Sequence, residues 1–128
     1  MDVDKIVAYW LTTSAEDFKV MEHLFEKGDY AHALFFAHLA IEKALKALYC
    51  KTKKDHAPHK HNLLNLARLI DLSISEEQEL WLEEVNRFNL EARYPDFKLN
   101  FYKICTRDFT LGHINKTEEF IPWISNKL

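Results

Sequence analysis

Between Ala31 and Cys50 the chain reads AHALFFAHLAIEKALKALYC, and its apolar positions recur with helical spacing. At about 100° per residue, Leu34, Ala37, Ile41, Ala44, Leu45 and Leu48 share one face. Ala33, Ala37, Ala40, Ala44 and Ala47 form an adjoining strip of small residues, and Phe36 widens the apolar arc past half the circumference. Glu42, Lys43 and Lys46 are its clearly polar members. No Gly or Pro interrupts the stretch, so helix propensity stays high throughout. A helix of this kind must be enclosed on several sides, with the alanines letting another backbone approach closely. The pattern predicts the central helix of a bundle.

The flanking segments supply the other helices. Ile6, Val7, Trp10, Phe18, Met21, Leu24 and Phe25 stripe a first helix from Val3 to Lys27, in which Thr12, Thr13 and Ser14 weaken the propensity. Ser14 and Asp17 have the spacing of a capping box, but one bent helix is the better reading than a break. Gly28 ends it and Asp29 caps the second. Residues 52–60 form a loop that Pro58 keeps non-helical. A third helix runs from His61 to Ile70. Ser75 opens a fourth, through Leu80, Trp81, Val85 and Phe88, which Pro95 stops near Arg93. A last helix starts at Thr110, uses Ile114, Thr117, Ile121 and Ile124, and contains Pro122, expected to kink it. The expectation is an all-α, up-and-down bundle of four to five helices forming a single domain over residues 1–128, and a dimer, since apolar helix surface exceeds what so short a chain can bury.

Composition agrees with this and narrows the chemistry. Hydrophobic content of 48% with 2 Gly and 3 Pro fits a helix-rich globular protein. Cys50 and Cys105 match no zinc spacing and read as buried free thiols. The acidic N-terminus, MDVDKIVAYW, lacks a signal-peptide core, and no apolar run is long enough to span a bilayer, so the expected location is cytoplasmic. A net charge of −3 does not fit a passive nucleic-acid coat. Charge is uneven, however: Lys51, Lys53, Lys54 and Lys60 with His56, His59 and His61 make a basic segment able to hold a phosphate. With only Gly28 and Gly112 in the chain, a glycine-rich phosphate cradle cannot be built. Any nucleotide must be held by Lys, Arg and helix termini.

Four pieces in order, AYW with SAEDF, GDYAHALFFAHLAIEKALKALY, HKHNLLNLA and EARYPD, cover nearly the whole chain. Together they resemble the HEPN domain family (higher eukaryotes and prokaryotes nucleotide-binding), in its RYPD-bearing branch associated with minimal nucleotidyltransferases. The resemblance implies a small helical homodimer without a cofactor. It further implies a non-catalytic nucleotide- or RNA-binding protein, or the partner of a minimal nucleotidyltransferase, in a pair like a toxin and its antitoxin. The alternative it implies is a metal-independent ribonuclease toxin. Members that cut RNA carry an Arg followed by His after four to six residues, the His serving the ribose 2′-hydroxyl and the Arg the phosphorane. After Arg93 the chain reads YPDFKLN, with no His. The ligand-binding set implied by the EARYPD turn is Arg93 with Lys46 and Asp96.

The remaining candidates are weaker. Arg107 and His113, in RDFTLGH, have the ribonuclease spacing and are the candidate catalytic pair, or Arg93 acts with a His brought in by folding or by a dimer mate. If Thr110 caps the last helix, His113 stands at its N3 position, where the dipole favours a neutral base. HAPHKH, at His56 to His61, has histidines but no evident fourth ligand, so no metal site is expected. His38, at the edge of the buried face, reads as a satisfied core histidine. Glu42 and Lys46 read as an i,i+4 ion pair on the polar strip.

Overall fold

Six helices follow one another along the chain: α1 (Val3–Glu26), α2 (Tyr30–Lys53), α3 (Leu63–Leu69), α4 (Glu76–Arg93), α5 (Pro95–Ile104) and α6 (Arg107–Ser125). The computed structural model describes residues 1–128 apart from the side chain of Pro95, and among the described residues all regular structure is helical. α2 is the axis of the bundle, packing against every other helix. Leu34, Ile41, Leu45 and Leu48 meet Leu63 and Leu66 of α3, Leu82, Val85 and Phe88 of α4, Phe101 of α5, and Phe120 and Ile124 of α6 in one apolar cluster.

The alanine strip of α2 packs along α1. Ala33, Ala37, Ala40, Ala44 and Ala47 are all buried, and α1 runs antiparallel along α2, with Met21 near Ala33 and Ala37 at one end and Val7 near Ala47 and Cys50 at the other. The hairpin closes at Gly28, whose φ of +81° ends α1. There the N–H groups of Gly28 and Asp29 return to the carbonyls of Phe25 and Leu24 at 3.1 and 2.9 Å. Asp29 occupies the N-cap position of α2 without a side-chain capping bond.

Ser14 does not begin a new helix. Its Oγ donates across the hairpin to the Ala40 carbonyl at 2.7 Å, a reach that only a small-residue seam permits. Asp17, its expected capping partner, instead pairs with Lys43 at 2.6 Å. α1 therefore continues through Thr12–Thr13–Ser14 without a break.

Two helix starts and the number of helices differ from expectation. α3 starts at Leu63, because Asn62 caps it by accepting from the Asn65 N–H; His61 stays in the preceding loop. α6 starts a turn before Thr110: Thr106 is the N-cap, accepting from the Phe109 N–H at 3.2 Å, and Thr110 is fully buried. The bundle also has six helices, not four or five, because α5 follows α4 directly. Tyr94 serves both. Its N–H bonds the Leu90 carbonyl to close α4, and its carbonyl accepts from Phe97 and Lys98 to open α5. Pro95 stops one helix and, lacking an N–H, suits the first position of the next. Within α6, Pro122 lies in the last turn. Cys50 and Cys105 are free and buried.

Because Ala40 is wholly enclosed and its carbonyl is bridged to Ser14, a larger side chain has nowhere to go. Ala40→Leu is expected to destabilise the fold by about 1–3 kcal/mol. Unchanged denaturant unfolding of this variant would place the alanine strip at the surface.

Candidate functional site

An apolar helix enclosed on all sides leaves its polar side chains no route to water except along the seams between helices. His38, Glu42 and Lys46 follow one another at i,i+4 spacing on α2, and all three are buried. Glu42 has two partners: Oε2 lies 3.1 Å from Lys46 Nζ and Oε1 lies 3.1 Å from His61 Nδ1, while His38 Nδ1 stands 3.8 Å from Oε1, beyond hydrogen-bond reach. Lys46 Nζ also sits 5.2 Å from the centre of the Trp10 ring of α1, a favourable place for a cation against an aromatic face. The i,i+4 pair expected on a solvated strip is thus a buried ion pair. Removing one member would strand the other charge, a change that typically costs about 3–5 kcal/mol.

The chain of bonds continues to the far side of the bundle. His38 Nε2 bonds the His61 carbonyl at 3.0 Å, and His38 Nδ1 meets the Asn89 amide nitrogen at 3.2 Å. Arg93 then donates from Nε to the Asn89 carbonyl at 3.1 Å. A carbonyl only accepts, so His38 must carry its proton on Nε2, and its Nδ1 must accept from Asn89. His38 is a satisfied core histidine, as its position on α2 implied, but also the link between Glu42 and α4. Burial pushes its pKa from 6.5 down to about 4; Glu42 and the bond to His61 oppose this, while Arg93 adds to it.

Arg93 stands at the last residue of α4, its side chain exposed, with the guanidinium 5.6 Å from the centre of the Tyr94 ring. It reaches Lys46 only through the relay of Asn89, His38, His61 and Glu42. Lys46 is spent on Glu42 and Trp10. Asp96 lies in the first turn of α5, exposed, one turn of chain beyond Arg93.

Arg107 and His113 are not brought together. Six positions apart on α6, they differ by about 120° around the axis. Arg107 is exposed, its guanidinium 5.5 Å from the Phe25 ring centre. His113 is buried: Nδ1 accepts from the Trp81 indole N–H at 3.1 Å, which leaves the proton on Nε2 facing Glu84 at 3.1 Å. Phe88 and Phe109 meet the ring edge-on. Burial lowers its pKa, Glu84 opposes this and Lys116 adds to it. The ring lies beyond the first turn of α6, away from the N3 position expected for it.

Beside the relay lies a hollow of about 200 Å³, lined by His38, His61, Asn62, Asn86, Asn89 and Leu90. A larger one, about 430 Å³, lies between α4 and α6 against Trp81, Phe120 and Trp123. Its acidic and basic residues, Glu77, Glu119 and Lys116, are all on the exposed surface, whereas the smaller hollow has two buried polar side chains, His38 and Asn89, in its lining. The basic loop has no comparable organisation: Lys53, Lys54, His56, His59 and Lys60 are exposed. Among the described residues, no group of three His, Cys, Asp or Glu is gathered for a metal, and no helix is long and apolar enough to cross a membrane.

Apolar periodicity does not point to Asn62, Asn86, Asn89 or the role of His61. One signal for them exists: H-x3-E-x3-K on a helix otherwise apolar all round, matched by N-x2-N-x3-R at Asn86, Asn89 and Arg93 on α4.

The two depressed histidines fix how stability varies with pH. Near and above 6.5, the ordinary value for histidine, the rings are neutral in the folded chain. Below it the unfolded chain binds protons that buried His38 refuses until about pH 4, and His113 behaves in the same direction. Unfolding free energy is therefore expected to fall with acidification by up to about 1.4 kcal/mol per pH unit for each histidine. Denaturant curves from pH 7.5 to 4.5 measure this slope. A flat profile would mean that both rings already charge within the fold.

The architecture has a counterpart among solved structures. The crystal structure of TT1696 from Thermus thermophilus is similar to this chain with a TM-score of 0.82 at 22% identity, covering 95% of this chain and 98% of that one. No curated protein matches the chain. The HEPN domain matches residues 7–128, taking in α2, the His61 loop and the Arg93 turn alike. The chain belongs to the HEPN domain family.

Proposed function

We propose that this HEPN protein binds a nucleotide or RNA phosphate at Arg93 without cutting RNA. On this reading it acts as a homodimer and as partner of a minimal nucleotidyltransferase in a toxin–antitoxin-like pair. One observation carries the binding reading: both buried histidines have both ring nitrogens engaged by protein groups, while Arg93 is exposed and, among the described residues, its hydrogen bond to protein is made through Nε. A guanidinium held at Nε by a backbone carbonyl is already oriented and keeps its terminal nitrogens for a bidentate grip on phosphate. Lys46 contributes by neutralising Glu42, so that no unpaired carboxylate opposes an anion, and Asp96 lies close enough in sequence to meet a ribose hydroxyl. The nucleotidyltransferase partner is implied by the RYPD-bearing branch that the chain resembles.

The ribonuclease reading also has one observation in its favour. His61 is exposed, with Nδ1 held by the buried Glu42 carboxylate, an arrangement that orients an imidazole and leaves Nε2 for proton transfer. The two readings separate cleanly. Arg93→Ala is expected to weaken binding of nucleotides or short RNA at least tenfold with little change in melting temperature, and Arg93→Lys to restore it only in part. RNA incubated with the protein in EDTA is expected to stay intact. Cleavage lost in His61→Gln would establish the ribonuclease instead, and a sharp drop in melting temperature of Arg93→Ala with binding intact would make the arginine a structural clasp.

Self-association is supported by the surface around the same turn. Tyr94 at the end of α4, and Phe97 and Ile104, which at i,i+7 spacing share one face of α5, are exposed, and apolar side chains gathered on one helix face are what a self-association surface needs. A two-fold contact there would set two Arg93 side chains along one groove. Light scattering at tens of micromolar, well above a micromolar Kd, is expected to give twice the chain mass. A monomer at that concentration would rule the dimer out.

A further inference from the structure

The hollow next to Arg93 has hydrogen-bonding groups whose directions are fixed by their neighbours. Asn89 is nine-tenths buried. Its amide nitrogen is committed to His38 Nδ1, because the His61 carbonyl forces the His38 proton onto Nε2. Asn89 therefore cannot turn its amide over, and it has left Oδ1, an acceptor, beside the second hydrogen of its amide nitrogen. One turn earlier on α4, Asn86 Oδ1 accepts from the Leu63 N–H at 2.8 Å, so its amide nitrogen is the donor to Asn62 Oδ1 at 3.1 Å. Asn62 Oδ1 also accepts from the Asn65 N–H. Asn62 in turn is pinned, and the group it has left is Nδ2, a donor. Amide orientations that would elsewhere be a matter of choice are settled here by one carbonyl and two backbone N–H groups.

We infer that this hollow is a nucleobase subsite, with Asn89 Oδ1 accepting from an amino or ring N–H group of the base and Asn62 Nδ2 donating to the adjoining ring nitrogen or carbonyl. The inference rests on the Arg93 reading above and adds to it what the rest of the ligand is. A fixed acceptor on Asn89 and a fixed donor on Asn62, both lining the hollow, offer a base edge the same two hydrogen-bonding types that a single asparagine amide offers adenine. Leu90 supplies an apolar surface at the rim. A volume of about 200 Å³ is below that of sites enclosing a drug-sized ligand. It admits a base and leaves the sugar and phosphate outside, on the side where Arg93 joins Asn89. His61, whose side chain is largely exposed, closes the other rim.

Titration of the intact protein with three phosphates, followed by NMR shifts, tests this. AMP is expected to bind at least about tenfold more tightly than ribose 5-phosphate, and than purine riboside 5′-monophosphate, which lacks the amino donor. Asn62→Asp keeps the oxygen that caps α3 but replaces the donor by an acceptor. It is expected to abolish the advantage of AMP while leaving ribose 5-phosphate binding unchanged. Arg93→Ala should weaken AMP and ribose 5-phosphate alike. Should Asn62→Asp fail to fold, Leu90→Trp, made at a half-exposed lining position, should fill the hollow with the same effect. Equal binding of AMP and ribose 5-phosphate by the wild-type protein, or an undiminished AMP advantage in Asn62→Asp or Leu90→Trp, overturns the base subsite and leaves the Arg93 site standing. Absence of binding by any of the three phosphates overturns both.

Discussion

The carboxylate of Glu42 lies inside a helix bundle, and much of the site follows from the need to satisfy it. A buried charge is tolerated only with partners and hydrogen bonds to its remaining lone pairs. Lys46 supplies the opposite charge from the next turn of the same helix, and His61 supplies the second bond from a loop. That requirement draws the segment after α2 back over the helix, where Ala57 also packs against the cluster of Val7, Ala47 and Cys50. Once the loop is in place, its carbonyl at His61 sets the protonation of His38, and His38 sets the orientation of Asn89 on α4. One ion pair in the core thereby decides which way a surface-reaching amide faces.

Much of the architecture is legible in the chain. The apolar face of α2, the alanine seam, the Gly28 turn and the stop before Pro95 are local signals of spacing and backbone chemistry, and each appears where the pattern puts it. α5 escapes detection when Pro95 is taken only as an end; the same proline, with Asp96 behind it, is also a helix start. The α6 boundary is ambiguous in sequence because two threonines compete for the cap and burial of Thr110 decides between them, which only the packed structure reveals. HEPN membership is legible in the ordered pieces of sequence.

The site is legible only in part. Arg93 is marked by its place before Tyr94 and Pro95. Glu42 and Lys46 are recognisable as a pair, but their burial is not, because an i,i+4 pair looks the same on a wet face and in a dry seam. His38 meets His61 and Asn89 across 23 and 51 positions of sequence, a distance over which spacing carries no information.

Those separations also order the assembly of the molecule. α1 and α2 are joined by a short turn, so their alanine seam closes with little loop entropy, and the Glu42–Lys46 pair forms within a single helix. The contact between His38 and Asn89 spans 51 residues and exists only after α3 and α4 have docked. A hairpin of α1 and α2 alone therefore holds the charged pair without the polar wall beside it, and the amide directions are defined only where α3 and α4 are packed in place. The polar wall is consequently a property of the packed bundle alone: partly folded chains, though they contain most of the same residues, do not hold its amides in these directions.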